Sequence, residues 1–193
     1  MPGVGMEAEI TRALEAAGYR VSLVSAAGLA EHPDAAGFEG GLEHALRGEF
    51  EMLVLGEEIF PRNVDPDQSL TLGLRRAFLA CKLVVRSMMR NRFGRIIAFA
   101  PASDTTVVPA AAAREALGGL MKSIAREVGT RGITANVIAP GTLEENAALS
   151  PYVAVARPAR PADIGSVLQF LAGDSASYLT GQVMAVDGGV TTT

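Results

Sequence analysis

Tryptophan is absent from this sequence of 193 residues, and aromatic residues make up only 5% of it. The core therefore has to be assembled from Ala, Val, Leu, Ile and Met rather than from large rings. One cysteine, Cys81, excludes a disulfide framework within the chain. With only two histidines beside it, His32 and His44, it cannot build a zinc site of Cys/His type, and no metal is expected. A basic excess is missing as well. Lys and Arg number 17 against 21 Asp and Glu, a net charge of −4, which leaves no electrostatic footprint for nucleic acid. No apolar run approaches the roughly 18 residues of a membrane span. The opening Met1-Pro2-Gly3-Val4-Gly5-Met6-Glu7 has neither a charged nor an apolar leader segment, so a cytoplasmic location is expected. What is present is a chain that is 49% hydrophobic and 20% charged. That balance suits one globular domain over 1–193, without repeats or linkers.

Periodicity places elements along it. Ile10, Leu14 and Ala17 fall at helical intervals before Gly18, and 21–24 reads as a short strand. Residues 26–41 read as loop and 42–49 as a helix of about two turns. The unbroken apolar run in 51–55 suits a strand covered on both faces. Asp65-Pro66 opens a long helix that carries Leu70, Leu74, Phe78, Leu83, Val84 and Met88 towards a stop near Gly94. Strands are expected over 95–100, 133–138 and 182–186, with helices over 109–126 and from Pro161 onward. Strand and helix alternate almost throughout, which implies an α/β fold of three layers around a parallel sheet of about five strands.

Four stretches then stand out. They are Gly94-Arg95-Ile96-Ile97; Ser123-Ile124-Ala125-Arg126-Glu127 with Arg131 to Gly141; Arg160-Pro161-Ala162-Asp163-Ile164 with Phe170-Leu171-Ala172; and Ser177 to Gln182 with Val186-Asp187-Gly188-Gly189. In this order they resemble the short-chain dehydrogenase/reductase family, in its ketoacyl-carrier-protein-reductase type. The resemblance implies a Rossmann-like domain with the family's first strand missing. It also brings in a catalytic set of Asn, Ser, Tyr and Lys. The tyrosine exchanges the proton, and the lysine lowers its pKa, because a phenol near pKa 10 is no base at neutral pH without a cation beside it. Aligned on Ala113-Arg114-Glu115-Ala116-Leu117-Gly118-Gly119-Leu120, the Lys slot is Arg114 and the Tyr slot Ala110. The Asn slot falls on Gly73 and the Ser slot near Pro101, with Ser103 two residues on. None of the four carries the family's residue, and no displaced Tyr-x-x-x-Lys pair exists.

The cofactor motifs depart in the same way. The family's glycine-rich loop holds a dinucleotide's pyrophosphate at a helix N-terminus. Its slots here are Met1, Gly5 and Glu7, and Gly3-Val4-Gly5 offers only a bare Gly-x-Gly. Glu57-Glu58 stands where the family has Ala-Gly, and Glu145 where it has a cofactor-touching Thr. Gly5, Pro140 and Gly141 remain as vestiges, the last two because they end a strand. The expectation is that no cofactor is used. The leading functional expectation is a non-catalytic subunit that pairs with itself or with an active relative. The alternatives are an NAD(P)-dependent oxidoreductase with a displaced site, or a small-molecule sensor. A start placed too far downstream is a further possibility.

Simpler readings stand beside these. Arg114 fits a structural ion pair with a nearby acid, Glu57-Glu58 solvated loop carboxylates, His32 and His44 surface positions, and Cys81 an inert core thiol. Arg75, Arg76, Arg86, Arg90, Arg92 and Arg95 fit, for the most part, a solvated helix face. The helices 66–89 and 109–128 form the expected assembly surface. Leu72, Ala77, Phe78, Cys81, Val84, Val85 and Met88 make the first apolar over more of its circumference than one face needs, and Ala112, Ala113, Ala116 and Gly118-Gly119 make the second small.

Overall fold

The computed structural model describes residues 10–12, 14, 15, 18, 50–56, 59–61, 64–102, 108–141, 143 and 152–192. The expected strand at 21–24 and the helix at 42–49 lie outside them. Among the described residues, four strands form one sheet in the order β1 (Met52–Leu55), β2 (Gly94–Phe99), β3 (Ile133–Pro140), β4 (Val183–Val186). Every neighbouring pair is parallel, with Leu53 opposite Ile96, Ile97 opposite Asn136 and Ile138 opposite Met184. The crossovers are α1 (Pro66–Asn91), α2 (Val108–Val128) and α3 (Pro161–Ala172).

Each helix starts and stops for a local reason. Asp65 caps α1 by accepting from the Asp67 amide at 3.0 Å, and Pro66 sits where a missing N–H costs nothing. The helix stops three residues short of the Gly94 stop read from sequence, because Arg92 adopts the left-handed conformation (φ 52°) and its N–H donates to the Met88 carbonyl. Gly132, at φ 76°, closes the short turn after α2, and a Cβ there would collide with the Arg92 carbonyl. Only glycine fits both demands. β3 runs two residues past the expected end, to Pro140, because β4 continues to pair with it.

The sheet's alternation sorts the core into two layers. Leu53, Leu55, Ile96, Ala98, Ile133, Ala135 and Val137 face α1 and α2, against Ala77, Cys81, Val84, Met88, Leu117 and Met121. Ile97, Phe99 and Ile138 face the other way, against Ile164, Leu168 and Leu171 of α3 and against Ile10 and Leu14. Burial of each Val, Leu, Ile, Phe or Met among them contributes about 1.5–3 kcal/mol. This is the three-layer α/β arrangement with a parallel sheet that the alternation implies. All eight residues of β3 are buried, including Asn136. Its side chain donates to the Leu179 carbonyl (2.9 Å) and accepts from the Gln182 amide (3.1 Å), which pins the turn into β4.

Two expectations about surfaces change. Arg76 and Arg95 are buried, unlike Arg75, Arg86, Arg90 and Arg92. Arg76 reaches the Ile59 carbonyl at 3.4 Å, and Arg95 stacks 4.4 Å from the Phe93 ring centroid and donates to Gly94 and Asp174. The apolar excess on α1 is also smaller than its sequence suggests. Ala77, Cys81, Val84 and Met88 are buried in the chain's own core, Leu72 and Val85 are half-buried, and Phe78 is exposed. No described helix is long and apolar enough to cross a membrane.

Candidate functional site

In a parallel sheet all C-terminal strand ends open on one edge, where ligands of open α/β folds bind. Here that edge is made by Gly56 after β1, Ala100-Pro101-Ala102 after β2, Pro140-Gly141 at the end of β3, and Asp187-Gly188 after β4. The ladder is carried through to it. The Ala100 amide donates to the Ile138 carbonyl at 2.9 Å, and the Gly141 amide to the Val186 carbonyl at 2.9 Å.

The four slots are distributed around this edge. Ala110 is half-buried in the first turn of α2, with Arg114 one turn further along the same helix. Arg114 donates from Nη1 to the Ala102 carbonyl at 3.4 Å and from Nε to Glu115 Oε1 at 3.3 Å. The structure thus brings Arg114 to the turn that holds Pro101, and it pairs with an acid as its simpler reading has it. Gly73 has another occupant. The ring of Phe60 lies against it so closely that a Cβ at 73 would collide with the ring. No side chain can enter the Asn slot while Phe60 stays in place. Phe60 escaped the sequence reading because it lies alone in Ile59-Phe60-Pro61, with no periodic signal around it.

Pro140 and Gly141 are buried, and a Cβ on Gly141 would lie 2.8 Å from Asp187 Cα. Gly141 therefore lets the ends of β3 and β4 approach. The Asp187 carboxylate turns inward, accepting from the Gly189 amide at 3.0 Å and the Thr191 amide at 3.2 Å, so its charge is spent on its own turn. Gly3, Gly5, Glu7, Glu57, Glu58, Ser103 and Glu145 lie outside the described residues. At the described part of the edge the Ala100 and Gly141 amides are engaged by the sheet itself, and Arg114 places a guanidinium beside the Ala102 carbonyl. Among the described residues no cluster of His, Cys, Asp and Glu could hold a metal ion. Cys81 is buried on α1, and desolvation pushes its thiol up to about 12, which makes it inert.

At the β4 end of the edge, Arg157 was missed. It forms a two-pronged ion pair with Asp163, the third residue of α3, at 2.7 and 3.0 Å. The only sequence signal was an arginine six residues before an acid in a helix's first turn.

Residues 63–191 match the family described as enoyl-(acyl carrier protein) reductase. The chain is 35% identical over 180 residues to 3-oxoacyl-(acyl-carrier-protein) reductase FabG of Salmonella typhimurium, covering 81% of this chain and 74% of that one. It is 34% identical over 143 residues to the protein of the same name in Rickettsia bellii, where it spans 59% of the relative's length and 67% of its own. Among solved structures, a candidate NAD(P)-dependent gluconate 5-dehydrogenase from Beutenbergia cavernae, with NADP bound at low occupancy, superposes with a TM-score of 0.74. The two are 26% identical, over 90% of this chain and 77% of that one. This kinship with oxidoreductases, over most of the chain, overturns two expectations: that of a non-catalytic partner subunit and that of no cofactor. Empty family slots were too narrow a basis for either, since a slot records one solution to proton transfer rather than the presence of a cleft. The four-strand edge, the helices that flank it and the matched length together place this chain in the short-chain dehydrogenase/reductase family.

Proposed function

We propose that the chain is an NAD(P)-dependent oxidoreductase that interconverts a carbonyl and a hydroxyl group, with a 3-oxoacyl thioester as the substrate class. The observation that carries this is the 35% identity over 180 residues to a 3-oxoacyl-(acyl-carrier-protein) reductase, and the family match over 63–191 spans the C-terminal ends of β2, β3 and β4 and the Arg114 turn of α2. The dinucleotide supplies or accepts the hydride. What this chain supplies is the cradle. Gly141 and the strand ends would line the bound dinucleotide, and Arg114, held at the Ala102 carbonyl, would supply positive charge beside it. Ala110 has no proton to give, so in this reading Arg114 stabilises charge and water delivers the proton to the oxygen.

Turnover then lies about 10²–10⁴-fold below that of an enzyme with a phenol in place. In this reading 1–193 is one domain, and Gly73, Pro101, Ala110 and Arg114 replace the family's catalytic set. Copies associate through the helices 66–89 and 109–128, on which Phe78 is 52% exposed. The test is calorimetric titration with NADPH and NADH, followed by the loss of reduced-nicotinamide absorbance with acetoacetyl-CoA. Binding in the micromolar range and slow turnover are expected. The paired change Ala110→Tyr with Arg114→Lys is expected to raise turnover about 10²-fold. Absence of binding by both dinucleotides overturns the reading.

A further inference from the structure

The segment 152–157 crosses the C-terminal edge at its β4 end, and it is held there from several sides. The Val155 amide donates to the Gly188 carbonyl at 3.1 Å. Val153 packs over Gly188 so closely that a Cβ there would lie 2.8 Å from Val153 Cγ1. Gly188 is at φ 65°, so glycine is required twice over. The Ala156 amide donates back to the Val153 carbonyl at 3.0 Å, with Ala156 itself left-handed at φ 57°, a conformation that a β-carbon makes costly. A bridge between Leu143 and Ala159 ties the far side to the chain leaving β3.

A strap bent through a left-handed alanine needs something to hold the bend. Arg157, the next residue, supplies it. Its Nη1 and Nη2 donate to Asp163 Oδ2 and Oδ1, and Nη1 also donates to the Pro158 carbonyl at 3.0 Å. Asp163 Oδ2 in turn accepts from the Arg160 amide at 2.8 Å, so the carboxylate is fixed to the start of α3 before Arg157 reaches it. α3 is anchored in the core by Ile164, Leu168 and Leu171, all 0% exposed. The clasp thus refers the strap to a rigid element, and the fork of a guanidinium is what gives it direction.

We propose that Arg157 is a positioning residue: through Asp163 it holds the strap on Gly188, at the C-terminal edge where the proposed reaction would bind its substrate. This rests on the oxidoreductase reading for the identity of the cleft, but not for the clasp. The test uses the full chain with Arg157→Gln, Arg157→Lys and wild type, read by hydrogen exchange and by kinetics with acetoacetyl-CoA. In Arg157→Gln, exchange of the Val155 amide is expected to quicken about tenfold, with protection of β2 and β3 unchanged. KM for the thioester is expected to rise about tenfold while kcat stays within about twofold and NADPH affinity is kept. Arg157→Lys should fall between the two, since an ammonium cannot reproduce the fork. Unchanged Val155 exchange overturns the clasp, as does a loss of protection that spreads through the sheet. Faster Val155 exchange with an unchanged KM overturns the positioning role. A wild-type chain without turnover defeats the oxidoreductase reading and the substrate role with it, whereas the exchange data still decide whether the clasp holds the strap.

Discussion

At the scale of single residues, the contact between Phe60 and Gly73 makes a direct prediction. Gly73→Asn puts an amide where a ring already lies, and overpacking of this kind typically costs about 1–3 kcal/mol. A chemical denaturation curve should shift by that amount, and an unchanged midpoint would show that the ring moves freely. Cys81 gives a second. Its thiol is held neutral by burial, so alkylating reagents at neutral pH should leave the native protein unmodified and label it fully once unfolded. Labelling of the native protein at the rate of a free thiol would contradict the packing of α1. Both residues differ in how far the sequence foretold them. Cys81 lies on a helical stripe whose period announces burial. Phe60 and Arg76 lie in or reach towards an irregular segment, and only tertiary packing decides what such a segment touches. The Gly73 and Ala110 slots were readable as letters, but what fills the space around them was not.

Among the elements, α3 carries the clearest electrostatic dependence. Hydrogen bonds from Arg157 and from the Arg160 amide hold the Asp163 carboxyl below its ordinary value. A depressed carboxyl pKa contributes stability above the unfolded-state value, and that stability is lost as pH falls through the folded-state value. Acidification should therefore loosen the start of α3 before the sheet yields. Asp163→Asn should remove that dependence and lower stability at neutral pH by a modest amount, because the pair is about a third exposed and partly screened. Helical signals resolved by amide exchange across the acid range would show it, and equal acid sensitivity in wild type and variant would refute it. The elements themselves were largely legible. Pro66, Pro161 and the apolar strand runs announce their starts, and the observed bounds differ by one to a few residues. The stop of α1 was misplaced because a left-handed arginine, rather than the later glycine, ends it. The end of β3 was misplaced because pairing with β4, a non-local contact, prolongs it.

Across the whole molecule, the order β1-β2-β3-β4 leaves β4 at one margin of the described sheet, with Val183 41% exposed. Beside it, Gly118 of α2 sits against Val183, a close approach that only a small residue permits. If copies of the chain meet through the long helices, Ala116→Glu should shift the sedimentation profile towards monomer, and a wild-type chain that is already monomeric at high concentration would refute that association. The fold as a whole was legible because alternation and order are local signals repeated many times. The chemistry was less so, since the residues read at a few aligned positions say little about what the cleft does. One further consequence follows from the pairing of Phe60 with Gly73. The two positions are sterically interlocked. Enlarging 73 first jams the ring, and shrinking 60 first leaves a hole, so each single step runs downhill and only the joint change restores a level footing. Substitutions at 60 and 73 are therefore expected to be coupled, the stability of the double variant departing from the sum of the two single changes.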